Sequence, residues 1–333
     1  MRSTKRSSSY ARRLCCLQAH KMKNTLTMAR LAFPVALLVA LPLAAKAQDD
    51  RAITQIDTTV SLERGGTVDL SLISGRIRVT GWDRPDVKIS ASIESGSLEF
   101  DANSSRVSLG VEDNNDSRGR RNHNVGDARY DVSVPRGARL ILEAVSGDVT
   151  ATGSQGEIEA SSVSGNVSVT NGVREVSAES VSGSVHASQI NGNLRAETVS
   201  GDLRAESVTG DLEATSVSGD VRLSAVQSKD VRSETVSGEI GYTGTIEAGG
   251  RYSFESHSGT LRLNIPRTTG AQFSVETFSG DVNTDFQVTI PANTRRREDR
   301  MEFTLGDGKA KVTLQTFSGS IVIGTGSDST TRR

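Results

Sequence analysis

The residues best suited to chemistry in this 333-residue chain are carboxylates and amides that recur directly after a glycine: Asp148, Asn166, Asp202, Asp211, Asp220 and Asp281. A column of oxygens at fixed spacing is raw material for a calcium site, because calcium takes roughly 6–8 oxygen ligands. Calcium-binding rolls built on nine-residue repeats, however, use a Gly-Gly-x-Gly-x-Asp pattern, whose glycines let backbone carbonyls reach the ion. Here each nine residues carry one glycine at most, and Ser184 interrupts the column. The expected use of these side chains is turn capping by hydrogen bonds to local backbone. No metal and no cofactor is implied.

His123, His186 and His257 fall in a polar loop, at an outward strand position and at a corner. None has a partner at metal-ligand or triad spacing, so they read as surface residues. Arg195, Arg204 and Arg222 are candidates for cleaving an acidic polysaccharide on an outer face. With eighteen residues between equivalent positions, Arg204 stacks near Arg222 and Arg195 near Glu213. Mixed charge on a solvated face accounts for them without an active site. The basic loop Arg118-Gly119-Arg120-Arg121 and the run Arg295-Arg296-Arg297-Glu298-Asp299-Arg300 are expected to keep loop tips soluble. No catalytic, cofactor-binding or metal-binding residue is assigned, and the chain is read as non-enzymatic.

What positions these residues is a repeat. Val145-Ser146-Gly147, Val163-Ser164-Gly165, Val181-Ser182-Gly183, Val199-Ser200-Gly201 and Val217-Ser218-Gly219 follow one another at eighteen-residue intervals. A looser echo at nine (Gln155-Gly156, Asn191-Gly192, Thr209-Gly210) makes each unit two unequal halves. A fixed period of this kind identifies a solenoid, in which each coil buries its apolar side against its neighbours. In Gly201-Asp202-Leu203-Arg204-Ala205-Glu206-Ser207-Val208 the inward residues alternate as on a half-buried strand. Val208 returns inward after an odd step, so the chain must bend or bulge near Glu206-Ser207. The Ser-Gly corner suits a tight turn with glycine at positive φ. Stacking then aligns Val149, Val167, Val185, Leu203 and Val221 in one interior column, and Ala151, Val169, Ala187, Ala205 and Leu223 in another.

Aromatic residues are only 4% of the chain, which fits a thin interior. Outside the central array the intervals between Ser-Gly pairs lengthen, with Ser237-Gly238 arriving after 19 residues, Ser258-Gly259 and Ser279-Gly280 after 21 each and Ser318-Gly319 after 39. A wider coil needs larger side chains, so Phe254, Phe273, Phe278 and Phe317 are expected to fill the core, and Trp82 to plug its N-terminal end. The last interval predicts an antiparallel excursion of residues 286–290 with 301–305. A similar excursion is expected from 105–111 and 130–134 around a polar loop.

The first 47 residues hold nine of the 39 basic residues and no acidic one, followed by an apolar stretch over residues 31–45 and Ala45-Lys46-Ala47 before Gln48. This has the form of an export signal, too short for a membrane span. Translation starting at Met22 or Met28 would shorten the basic extension. Without that leader the formal charge moves from −1 to about −10, which disfavours nucleic acid and anionic membranes as partners. Both cysteines, Cys15 and Cys16, leave with it, so no thiol chemistry is expected.

The opening segment Ser71-Leu72-Ile73-Ser74-Gly75-Arg76-Ile77-Arg78-Val79-Thr80-Gly81-Trp82-Asp83, the lead-ins Val132-Ser133-Val134-Pro135 and Leu263-Asn264-Ile265-Pro266, the Val-Ser-Gly array and the closing Gln315-Thr316-Phe317-Ser318-Gly319 together resemble the DUF4097 family of β-strand repeat proteins, named putative adhesins. The resemblance covers roughly residues 55–324. It implies a right-handed β-helix-like solenoid, an exported envelope protein and no catalytic residues.

The expectation is therefore an all-β, single-stranded right-handed β-solenoid with about 18 residues per coil and broader cap-like coils at both ends. Residues 1–47 form a signal peptide with a basic extension, and 48–333 a single domain, regular over about 140–240 and irregular over 52–139 and 241–324. The function expected is non-enzymatic, a repetitive binding surface exported to the periplasm or cell surface, with an envelope polysaccharide or an envelope protein as partner. The alternatives are a polysaccharide-active enzyme on the same scaffold, or a structural, stress-linked envelope component without a specific ligand.

Overall fold

The computed structural model describes residues 54–112, 125–287 and 300–326. The expected leader, the Arg118 loop and all of the Arg295 run but Arg300 lie outside these residues, as does His123. Among the described residues the chain forms 24 strands and no helix, so no helix is long and apolar enough to cross a membrane.

Each central coil contributes two strands to two parallel ladders. Leu194–Ser200 pairs with Val176–Ser180 on one side and Leu212–Ser218 on the other, and Leu203–Val208 pairs with Val185–Ile190 and Val221–Val226. Register is held at eighteen, with Val149 on Val167, Val185 on Leu203 and Leu203 on Val221. The inward columns expected from sequence are thereby formed, and all of their members are buried. The fold is an all-β solenoid whose interior is one residue pair wide, filled by valine, leucine and alanine.

The two corners solve different problems. The second corner carries a left-handed residue in every regular coil: Gly153 (φ 74°), Asn171 (58°), Gln189 (56°), Ser207 (57°) and Ala225 (51°), each eighteen after the last. This is the bulge that the odd step before Val208 requires, and it returns Ile190, Val208 and Val226 to the core. The first corner differs from expectation. Gly147, Gly165, Gly183 and Gly201 do not adopt the left-handed region expected of a tight turn. Glycine is needed because a Cβ at Gly165, Gly183 or Gly201 would overlap the carbonyl oxygen of the corner glycine one coil earlier. The glycine column sets how closely coils stack.

The aspartates and asparagines after these glycines also act between coils, not locally as expected. Asp148 Oδ1 accepts from the Asn166 amide (2.8 Å), Asn166 Oδ1 from that of Ser184 (3.0 Å), and Asp220 Oδ1 from that of Glu239 (3.0 Å). A carboxylate or amide in one coil thus satisfies a backbone donor in the next.

Both ends depart from sequence order. Thr67–Trp82 lies between Arg139–Thr152 on one side and Arg106–Val111 with Ala128–Pro135 on the other, all parallel. Antiparallel strands finish that end: Asp86–Ile93 on Ala128–Pro135, Gln55–Ser61 outside it, and Leu98–Ala102 on Arg106–Val111. At the other end the last coil, Ala310–Ser318 and Ile321–Thr325, inserts between Arg251–Ser258 with Leu261–Ile265 and Ala271–Ser279 with Val282–Thr284. Arg300–Leu305 runs antiparallel on Ala271–Ser279; residues 288–290 of the expected excursion lie outside the described residues. Antiparallel strands close a parallel stack without offering another copy a matching parallel edge.

Trp82 does not plug the end. It sits half-buried at a corner, its indole N–H donating to the Asp86 carbonyl (2.7 Å) and the Arg84 guanidinium 5.0 Å above its ring. Leu62, Val87, Ile89, Leu98 and Leu109 fill that part of the core instead. In the wider coils Tyr242, Tyr252, Phe254 and Phe273 are buried, as the longer repeats require. Tyr242 and Phe254 meet at 5.2 Å, and Phe273 stacks on Phe303 at 4.9 Å.

Candidate binding groove

The residue before each Ser-Gly pair points out of the solenoid. From the buried Leu142 and Ala144 the alternation puts Val145 outward, and the register repeats that parity coil after coil. In spatial order the outward column runs Ile73, Val145, Val163, Val181, Val199, Val217, Val236, His257, Phe317 and Phe278. The aliphatic members are 38–50% exposed, Phe317 51% and Phe278 72%. At a coil spacing of about 4.8 Å this is an apolar ridge about 43 Å long.

The ridge ends in three stacked rings. His257 and Phe317 lie 5.0 Å apart with planes 4° from parallel, and Phe317 and Phe278 lie 4.9 Å apart at 4°. Phe278 and Phe317 were expected in the core, and the structure corrects that: length of coil required large residues at Phe254 and Phe273, whereas Phe278 and Phe317 share a register position with exposed valines. That equivalence was available in the sequence, since Val217, Val236, His257, Phe278 and Phe317 all precede Ser-Gly. A histidine in the same column already argues for an outward direction.

Two polar rows flank the ridge. Two residues earlier on the same face lie Glu143, Ser161, Glu179, Glu197, Thr215, Glu234, Glu255, Gln315 and Glu276 in spatial order. One residue later lies a serine in every coil, from Ser74 through Ser146 to Ser258, Ser318 and Ser279. Where the coils widen, the strip becomes a groove of about 540 Å³, running from Thr215 and Val217 through Glu234, Glu255 and His257 to Glu276, Gln315, Phe317 and Phe278.

Beneath the groove the corner changes. In the regular coils the inward hydroxyl bonds a glycine carbonyl: Ser162 to Gly147 (2.9 Å), Ser180 to Gly165 (2.8 Å) and Thr198 to Gly183 (3.0 Å). In the next coils the equivalent Ser216, Thr235, Ser256 and Thr316 are buried with no partner among the described residues. The change coincides with the corner glycines Gly219, Gly238, Gly259 and Gly319, which take φ of 148° to 158°. In the outermost of these coils, where Gly280 takes φ of 151°, Thr277 again reaches a glycine carbonyl, that of Gly319 (3.5 Å).

The remaining candidates are held in surface pairs. Arg195 bonds Glu213 across coils (2.7 Å), Arg204 bonds Asp202 (2.9 Å) and Arg222 bonds Asp220 (2.7 Å), with Arg204 stacked on Arg222 as expected. His186 aligns with Arg204 on an outer face, and Arg300 pairs with Glu302 (2.8 Å). Beside the groove Arg232 is held above its ordinary guanidinium range, first by its hydrogen bond to the lining residue Glu234 and then by that carboxylate's charge. Glu255 accepts from Ser253 (3.1 Å). Among the described residues no group of three or more His, Cys, Asp or Glu could hold a metal ion.

Similar solved structures include a putative cell adhesion protein from Clostridium sporogenes (10% identity, 81% of this chain and 99% of that one, TM-score 0.26). Others are a putative adhesin from Bacteroides fragilis (12%, 81% and 96%, TM-score 0.38) and a putative lipid binding protein from Parabacteroides distasonis (13%, 81% and 96%, TM-score 0.44). No curated protein matches. The Toastrack DUF4097 model matches residues 125–324, more than half of the sequence, and the chain belongs to that family.

Proposed function

We propose that this chain is an exported, non-enzymatic scaffold of the bacterial envelope that binds its ligand along the outward strip. The observation that supports this is the exposed ridge from Ile73 to Phe278, flanked by polar rows and deepened into a groove over the last coils. A contiguous exposed apolar row rimmed by polar residues marks a binding surface. Among the described residues no set converges on a reacting atom: Arg204 and Arg222, the best candidates for an enzyme, are paired with Asp202 and Asp220. Export follows from the basic, acid-free first 47 residues and the Ala45-Lys46-Ala47 motif. Residues 1–47 then form the leader and 48–333 the exported domain.

Two measurements test this reading. Tagged protein on intact cells, digested with protease before and after the outer envelope is permeabilised, shows its compartment; cytoplasmic retention under both conditions refutes export. Retention of purified protein on envelope fractions tests binding, and it is expected to fall when Phe278 and Phe317 are both changed to serine.

A further inference from the structure

We infer that the ligand of the groove is an extended polysaccharide of neutral or amino sugars, laid along the solenoid axis over Val217, Val236, His257, Phe317 and Phe278. This inference rests on the scaffold reading above and specifies its ligand.

The surface has three parallel rows, and a pyranose chain has the same three. A sugar ring carries C–H bonds on its faces and hydroxyls around its rim. An extended chain therefore presents an apolar middle and two hydroxylated edges, as this strip presents an apolar row between two hydrogen-bonding rows. Glu234, Glu255, Gln315 and Glu276 offer acceptors on one side, and Ser218, Ser237, Ser258 and Ser318 offer hydroxyls on the other. The repeat of the surface along its axis, about 4.8 Å, meets successive sugars with equivalent side chains. Phe278, the most exposed of the large apolar residues among those described, ends the ring stack and extends the apolar row.

Peptides fit less well. An extended peptide gains affinity by adding main-chain hydrogen bonds to a free sheet edge, whereas these strands are already paired on both sides. A helix with side chains is about 10–12 Å across, and the acidic and apolar rows stand two residues apart on one strand, about 7 Å. Charge settles the kind of glycan. Glu234, Glu255 and Glu276 line the wall, with Arg232 paired to Glu234 beside them. An acidic polysaccharide would meet like charge on approach, while neutral sugars meet acceptors and amino sugars meet counterions.

The test is titration calorimetry of the full-length mature protein with three soluble hexasaccharides: neutral cellohexaose, amino-bearing chitosan hexaose and acidic galacturonan hexamer. Binding of the neutral or amino hexamer is expected, with the acidic one at least roughly tenfold weaker. Phe278→Ser with Phe317→Ser should weaken binding by about tenfold or more, because each ring contact contributes and a factor of ten is a small free energy. Val173→Ser, at an exposed valine outside the ridge, should leave it within about twofold, and thermal melting of both variants checks that they fold. Tightest binding of the acidic hexamer, or binding indifferent to Phe278 and Phe317, overturns the inference. Loss of all three hexamers while envelope fractions still retain the protein through Phe278 and Phe317 refutes the glycan and leaves the scaffold reading standing. Loss of both refutes the two together.

Discussion

The coils that end at Gly147, Gly165, Gly183 and Gly201 and those that end at Gly219, Gly238, Gly259 and Gly319 are built from the same motif and do different things. In the first set every repeat is eighteen residues, the outward column is valine, and the buried hydroxyl is spent on a glycine carbonyl. In the second set the repeats lengthen, the core admits Tyr242, Tyr252 and Phe254, the outward column turns aromatic, and four hydroxyls lose their partners. Regular coils make a stiff spacer with no feature distinguishing one coil from the next. The longer repeats carry a wider interior and the groove, which the proposed function makes the place where a ligand is held.

Changes in the core should break this comparison most visibly. Phe254→Ala, in a wide coil, is expected to cost about 3–5 kcal/mol by chemical denaturation, while Val185→Ala in a regular coil costs less, about 1–3 kcal/mol. Gly183→Ala forces a Cβ onto the Gly165 carbonyl and should cost at least about 2 kcal/mol. Gly137→Ala, where a Cβ meets nothing within 4 Å, should be close to neutral in the same assay.

The hydroxyl ladder sharpens the contrast, because the same substitution should change sign between the two sets. Thr198→Val removes a made hydrogen bond and should destabilise by about 1 kcal/mol. Thr235→Val removes a buried hydroxyl without a partner and should be neutral or stabilising by a similar amount. Equal losses at both sites would show that the corner is the same throughout.

Alkali should destabilise the coils that bury a tyrosine, those around Tyr130 near the N-terminal end included. Burial pushes the phenols of Tyr242 and Tyr252 above their ordinary range, with the nearby Glu247 carboxylate adding to the effect. The folded state therefore keeps these protons where the unfolded chain has released them. Their contribution is complete below the unfolded tyrosine value of about 10 and is lost as pH rises above it. Phenolate absorbance and circular dichroism followed together should change cooperatively above that pH, and Tyr242→Phe should move the transition upward. The smallest effect is expected at the second corner. Ala225 is held at φ 51°, so Ala225→Gly should stabilise by about 0.5 kcal/mol, left-handed strain relieved less backbone entropy lost.

Much of this was legible in the sequence. A period of eighteen fixes which residues stack, so the column from Val149 to Val221, the Arg195 to Glu213 pair and the bulge near Ser207 could be placed from spacing alone. Three things could not. Glycine at the Ser-Gly corner looks like a turn residue, because the neighbour that excludes a Cβ there belongs to another coil. The order of coils at the ends, with Ala310–Ser318 inserted inside Ala271–Ser279, depends on which excursion folds back, and periodicity carries no information on that. The direction of Phe278 and Phe317 is a different case: size and hydrophobicity point them inward, but their alignment with Val217 and His257 before Ser-Gly decides for the outside. The groove itself follows from a change of corner conformation at Gly219, and a serine, a valine and a glycine spell both conformations alike.

The claim that binding belongs to the widened coils is tested most directly by hydrogen exchange on the purified protein with and without bound envelope ligand. The account predicts slowed exchange in segments 215–217, 234–236, 255–257 and 315–317, with segments 161–163 and 179–181 unchanged. Slowing confined to the regular coils, or spread evenly along the ridge from Val145 to Phe278, would contradict it.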